Sequence, residues 1–377
     1  MHIGIDARNL ATGIGRTVRE LVKNLSEIDK ENTYFILYRD DPLNFLEGIP
    51  NFNRYYSSIG QYSPRIQVEI PLFQYKKKID VFHSTYFVKP IWVPCKSLVT
   101  IYDLIYSRYP KYLSKGLFTK GVLLYHDIMT SIAVKQSSKI ITISQSAKDD
   151  IIHFFKCPED KIEIITPAFD KEEFKVISNR DLVKKTVFEY KLPDKYIFYV
   201  GAHKPHKNLE RLIRAFYLIA GEIEHNLVIG GKKDLRYAKT YELAKALNME
   251  RRIIFTGEIK ESDLPLLYNG ADLFVFPSLY EGFGLPPLEA MACGIPVLVS
   301  NAASLPEVVG DAAIMVNPYD IGEIAQEMKR ILTNKNLQAE MQIKGLERCQ
   351  NFSWRKTAER TLELYKTLFY TARALTR

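Results

Sequence analysis

Cysteine is scarce in these 377 residues: Cys95, Cys157, Cys293 and Cys349 are scattered and show no metal-ligand spacing. They predict free thiols in a reducing compartment rather than a disulfide framework. No apolar run reaches the length that spans a bilayer. The chain opens on His2-Ile-Gly-Ile-Asp6, a strand pattern, without a basic and apolar export segment. These absences predict a cytoplasmic protein. A concentrated basic-aromatic surface is missing too. The formal charge of +8 leans toward the first half of the chain, which excludes a nucleic-acid module and suits an anionic lipid surface or a phosphorylated acceptor. No Asp-x-Asp pair stands where a catalytic metal would be held, so no metal is expected to be required. What remains is 46% apolar and 25% charged, a soluble globular composition, on a chain long enough for two cores.

The rest of the chain is organised around Pro277-Ser-Leu-Tyr-Glu-Gly-Phe-Gly-Leu-Pro-Pro-Leu-Glu-Ala-Met-Ala-Cys-Gly-Ile-Pro296. The apolar run Leu273 to Phe276 before it reads as a buried strand. Gly282 and Gly284 permit a tight turn with uncovered amides, and Pro286 and Pro287 suit the first turn of a helix. The spacing predicts that helix from about Leu288 to Cys293, ending at Gly294. Such a helix start receives phosphates and sugar hydroxyls. Two carboxylates, Glu281 and Glu289, bracket the turn, and as pure acceptors they suit hydroxyl donors. Ordinary solvated glutamates would fit the same spacing.

In this order, Glu, Gly, Pro and second Glu, the segment resembles the Glu-x7-Glu signature of the retaining, nucleotide-sugar-dependent glycosyltransferases of family 4. The resemblance implies an α/β chain with the GT-B fold: two Rossmann-like parallel-sheet domains facing across a cleft. The expected boundaries are 1–185 for an acceptor-side domain, 186–355 for a nucleotide-sugar domain, and 356–377 for a terminal helix crossing back to the first domain. It further implies that Glu281 lies beside the donor sugar, that Glu289 grips the ribose, and that Gly282, Phe283, Gly284 and Leu285 reach sugar and diphosphate through their backbone. Lys207, in Gly201-Ala-His-Lys-Pro-His-Lys-Asn208 after the strand pattern Lys195 to Val200, would bind donor phosphate. His206 stands where relatives often carry arginine, and would make phosphate binding more sensitive to pH. Lys232 would approach phosphate, while Gly257 and Ile259 would border the base.

The first half carries weaker signals. Gly13 and Gly15 follow the first strand and open an amphipathic helix, with Arg8 and Arg16 as candidate anion contacts. The third glycine of a dinucleotide fingerprint is absent, which excludes an NAD site. By resemblance this loop faces the donor phosphates. Residues 39–79 look irregular. Tyr102-Asp103 replaces the His-Asp common in the family; tyrosine, with an ordinary pKa of about 10, supplies a hydrogen bond but no imidazole chemistry. Asp103 would bind acceptor or orient its hydroxyl, and Ser144 would bound the cleft. Within residues 109–135 an apolar face with Tyr112, Leu113, Leu117, Phe118, Val122, Leu123 and Leu124 alternates with Lys111, Lys115 and Lys120, a pattern for a peripheral membrane contact or for a face packed into the domain. His126 is a candidate cleft residue.

The branch that looks nearest extends bacterial surface polysaccharides on lipid carriers. It implies transfer of a hexose, mannose first, from a nucleotide-sugar such as GDP-mannose to a lipid-linked or polysaccharide acceptor. The alternatives are transfer to a soluble acceptor, epimerase chemistry in the same pocket, and a sugar-nucleotide-binding protein whose centre has drifted, which Tyr102 and His206 favour.

Overall fold

Parallel strands buried on both faces are mostly apolar, and among the described residues thirteen strands form two groups, the majority of them such apolar runs. The structure, a computed structural model, describes residues 1–8, 13–110, 117–232 and 238–374. Lys111, Tyr112, Leu113 and Lys115 of the expected membrane segment lie outside the described residues, as do the side chains of Leu117, Phe118 and Lys120. Two compact units form, Met1–Ala168 with Ser353–Arg377, and Phe169–Phe352.

The first unit holds seven strands: β1 His2–Ala7, β2 Thr33–Tyr38, β3 Phe52–Tyr56, β4 Val81–Ser84, β5 Lys96–Ile101, β6 Lys139–Thr142 and β7 Ile162–Ile164. Their order is β3-β2-β1-β4-β5-β6-β7, every pair parallel. The strand order reverses between β1 and β4, and ligands of open α/β sheets bind at the carboxyl edge of such a reversal. Helix Gly13–Ile28 covers one face with Val18, Leu21, Val22 and Leu25. The terminal helix Trp354–Ala374 packs in the same core through Ala358, Leu364, Tyr365 and Leu368. Tyr365 also reaches the sheet: its hydroxyl lies 2.6 Å from His83 Nδ1, while His83 Nε2 lies 2.7 Å from Thr100 Oγ1. Burial pushes this imidazole down to about 3, so it is neutral and serves as one donor and one acceptor.

The second unit repeats the plan with β8 Tyr196–Val200, β9 Asn226–Gly230, β10 Ile253–Gly257, β11 Leu273–Phe276, β12 Val297–Ser300 and β13 Ile314–Val316. The order is β10-β9-β8-β11-β12-β13, again all parallel, with the reversal between β8 and β11.

Three expectations need correction. The units divide at Ala168 and Phe169, not at residue 185, and again at Phe352, not 355. The intervening polar stretch belongs to the second unit because Asn269 fastens it there. Its Oδ1 accepts from Ile177 N–H at 2.8 Å, its Nδ2 donates to the Lys175 carbonyl at 3.0 Å, and its own carbonyl accepts from Arg180 at 3.1 Å. Residues 39–79 are not irregular, since they hold β3 and helix Ile66–Lys76. The helix after the central turn spans Leu285–Ala292, starting earlier than the prolines suggested because they occupy its first positions.

Candidate active site

Both segments flanking the reversal of the second sheet carry site residues. The loop after β8 closes in a single turn, Pro205–Lys207, and Asn208 follows with a φ of 62° before helix Leu209–Ile219. The buried Asn208 amide donates to the Pro277 carbonyl at 3.0 Å and the Pro318 carbonyl at 2.7 Å, tying this loop to the one after β11. Leu279 N–H adds a bond to the His206 carbonyl at 2.7 Å. The neighbouring Gly231, at φ +125°, approaches so closely that a Cβ there would lie 2.0 Å from the Gly201 carbonyl oxygen. Only glycine fits.

Across this junction the Lys207 ammonium donates to both oxygens of Glu281, at 2.7 and 2.8 Å. The two side chains are only 15% and 13% exposed, so the pair is largely desolvated. Lys207 Nζ also lies 5.3 Å from the centroid of the Phe276 ring, a cation–π contact. The Tyr199 phenol is raised well above its ordinary pKa by burial and then by the nearby Glu281 charge.

The Glu281 loop is fixed from the next elements. Ser304 Oγ lies 2.9 Å from the Glu281 carbonyl and 2.5 Å from that of Phe283, and Ser300 Oγ donates to the Ser278 carbonyl. Gly284 adopts φ +126° with Leu305 packed where a Cβ would stand, and Phe283 is buried edge-on against Phe352. Gly282 is partly exposed, and Leu285 opens the helix. Glu289, on that helix, is 5% exposed and accepts from the Tyr268 hydroxyl at 3.3 Å. The structure thus brings Lys207, His206, Glu281 and Gly282 to Leu285 together at one sheet edge.

Gly257, Ile259 and Lys232 lie at the carboxyl ends of the adjoining strands. Gly231 N–H donates to the Gly257 carbonyl at 2.8 Å, and the Ile259 side chain covers Gly230. Lys232 is exposed. His203, which no sequence signal marked, joins this group: its ring nitrogens lie 2.6 Å from the Tyr241 hydroxyl and 3.3 Å from the Gly230 carbonyl.

His206 requires a correction. It is buried, and desolvation, followed by the charges of Lys207 and Lys204, pushes it down to about 3. Its protonation is thus disfavoured, against the pH-sensitive contact expected, and its carbonyl accepts from Leu279 N–H.

In the first unit Gly13 begins its helix and Gly15 is buried in the first turn. Arg8 is committed to Asp6 at 2.8 and 2.7 Å and to the Ile59 carbonyl at 3.2 Å, which leaves it a structural ion pair rather than an open anion contact. Arg16 is partly buried. Tyr102 is also corrected: it is 9% exposed and lies close to the Tyr365 phenol, and burial raises its pKa. Its ring is buried, which leaves the hydroxyl little open surface for a sugar. Asp103 is partly exposed and accepts from Ile105 N–H at 3.0 Å. Ser144 is a helix cap, accepting from Ala147 N–H at 3.1 Å.

Two doubly wound parallel-sheet units, one with a lysine–glutamate pair at its topological reversal, define a two-domain α/β protein of the GT-B class. The pattern of Glycosyltransferase Family 4 matches residues 11–173, and that of Glycosyl transferases group 1 matches residues 184–348. The chain belongs to the family 4 glycosyltransferases. It is 35% identical over 287 residues to the serotype-specific mannosyltransferase WbdA of Escherichia coli, covering 73% of this chain and 34% of that one. It therefore spans about a third of the length of that relative. The O-antigen chain mannosyltransferase B of Escherichia coli is 29% identical over 291 residues, covering 76% and 74%. Sucrose-phosphate synthase from Thermosynechococcus elongatus shares the fold, with a TM-score of 0.78 at 21% identity over 98% of this chain and 100% of that one.

Proposed function

We propose that the chain is a retaining mannosyltransferase that uses a nucleotide-sugar, GDP-mannose first, to extend a lipid-linked or polysaccharide acceptor. The observation that carries this reading is the desolvated Lys207–Glu281 pair at the reversal of the second sheet. Two of the three ammonium protons meet Glu281, and the third is assigned to a diphosphate oxygen. As the bond from the anomeric carbon to the diphosphate breaks, negative charge grows on the leaving oxygen. Lys207 and the amides of Gly282 to Leu285 stabilise it, a fixed arrangement that needs no reorganisation. Glu281 holds the sugar while positive character develops at its ring. The acceptor oxygen bonds to the anomeric carbon on the face the diphosphate leaves, and its proton passes to the departing phosphate oxygen. Glu289 accepts from ribose hydroxyls, and Asp103 orients the acceptor hydroxyl.

The mannosyltransferase names of two relatives support the sugar, and their O-antigen context supports the acceptor class. Charge stabilisation by Lys207 and backbone amides makes a metal unnecessary in this scheme. No helix among the described residues is long and apolar enough to cross a membrane. The reading has the protein meet a lipid-linked acceptor at the face of the bilayer.

The test is calorimetric binding of GDP-mannose, UDP-glucose, ADP-glucose and dTDP-rhamnose, with magnesium and with chelator, followed by transfer assays and determination of the product's anomeric configuration. Metal-independent preference for GDP-mannose and an α-linked product from the α-linked donor are expected. An inverted product, or a folded protein that binds none of the donors, overturns the reading.

A further inference from the structure

A cavity of about 540 Å³ opens in the first unit. Its position follows from the topology. Tyr86 and Phe87 come directly after β4, at the reversal between β1 and β4, and Tyr106 lies on the short helix Ile105–Arg108 that follows β5 and Asp103. Helix Leu117–Gln136 supplies the opposite wall through Val122, Leu123 and His126. The cavity therefore occupies the carboxyl edge, where a sheet of this kind receives ligands.

Its walls are chemically divided. Rings and aliphatic groups dominate: Phe87 lies 4.2 Å from Tyr86 and 4.5 Å from His126 between ring centroids. Phenols stand among them: Tyr86 is hydrogen-bonded with Tyr62, and the charge of Asp103 reaches Tyr86. On the helix wall Val122 is 43% exposed. A free saccharide inside would find few polar partners for its hydroxyls on walls dominated by rings and aliphatic groups. A hydrocarbon chain loses nothing of that kind and gains by leaving water. The volume is that of a small-ligand site.

We infer that this cavity takes the hydrocarbon tail of the acceptor, an alkyl or prenyl chain, with the sugar-bearing end directed toward Asp103. The inference rests on the reading that the first unit handles a glycosyl acceptor, and it names that acceptor as an amphiphile. The exposed Val122 carries the apolar wall of the cavity to the surface, where the remainder of a long chain leaves for its lipid phase.

Calorimetry without any donor tests it, comparing octyl and methyl α-D-mannopyranoside below the micelle concentration. The octyl compound is expected to bind at least about tenfold more tightly, because only it can fill the apolar walls. Val122→Asp places a charge at the mouth and Leu123→Trp fills the space; both are expected to abolish the preference while circular dichroism and GDP-mannose binding stay unchanged. Equal binding of the two glycosides, or a preference that survives both variants, overturns the inference. So does association with phosphatidylglycerol vesicles without any octyl preference, which would make the helix a surface contact only. Loss of GDP-mannose binding in the wild type would instead strike the donor assignment in the second unit, so the two failures are distinguishable.

Discussion

Replacing Lys207 by methionine removes the charge and keeps most of the stem. Glu281 is only 13% exposed, so the variant leaves a desolvated carboxylate without its counter-ion. Breaking such a pair from one side typically costs about 3–5 kcal/mol, and the second unit is expected to lose about that much. Solvent reaching the remaining exposure keeps the loss toward the lower end. Transfer should fall separately. Losing one preorganised group that meets developing negative charge costs about 2.7–4 kcal/mol in the transition state, or about 100- to 1000-fold in kcat.

The double variant Lys207→Met with Glu281→Gln separates these effects. Glutamine keeps the shape and removes the stranded charge, so denaturant unfolding should recover most of the lost stability. Transfer should not recover, since neither the phosphate cation nor the sugar-side carboxylate is present. Unfolding curves and single-turnover transfer at saturating donor read the two quantities independently. Recovery of activity with stability would refute the reasoning, because transfer would then need neither the Lys207 charge nor the Glu281 carboxylate. Undiminished stability in the single variant would refute the desolvated pairing.

Other consequences concern the supports. Ser304→Ala removes the hydroxyl facing the Glu281 and Phe283 carbonyls; about 1–3 kcal/mol of stability and a weaker donor affinity by calorimetry are expected. Gly231→Ala forces a Cβ against the Gly201 carbonyl at positive φ, and about 2–4 kcal/mol of destabilisation is expected by chemical denaturation. His83 is held near 3 when folded against an ordinary 6.5. Its stabilising contribution is complete above 6.5 and lost as pH falls toward 3, so the first unit should weaken by about 2 kcal/mol between about pH 7 and pH 5. Both tryptophans, Trp92 and Trp354, lie in that unit, and their fluorescence should show the slope in the wild type and a flatter one in His83→Phe.

The central turn was legible because its chemistry is local. Glycines, prolines and two carboxylates at fixed spacing constrain one another over twenty residues, and the strand before them is a continuous apolar run. Lys207 and Glu281 were readable as separate residues, yet they stand 74 positions apart in the chain. Their pairing depends on β8 and β11 becoming neighbours at the sheet's reversal, which no local pattern encodes. Asn208 clamps both loops and left no signal, since asparagine before a helix ordinarily caps it. The strand Phe52–Tyr56 escaped notice because Asn53 and Arg54 interrupt its apolar pattern, and helix Ile66–Lys76 because Pro71 sits inside it. Tertiary packing overrides both local costs.

The two departures from the usual family pattern, Tyr102 and His206, are explained by packing, and this bears on the chemistry. An imidazole that titrates near neutrality would give transfer a pH dependence through general acid or base catalysis. His206 is instead held near 3 by burial and two lysines, and Tyr102 is raised by burial. Neither changes charge near neutrality. In the proposed reaction the leaving group is then met by Lys207 and fixed amides rather than by either of these side chains. The expected profile of kcat, at saturating donor and acceptor, is flat between about pH 6 and pH 8. His206→Gln should leave its shape unchanged. A wild-type inflection in that interval that disappears in His206→Gln would show that this histidine gains a proton in the working enzyme, and would return it from backbone support to direct phosphate chemistry.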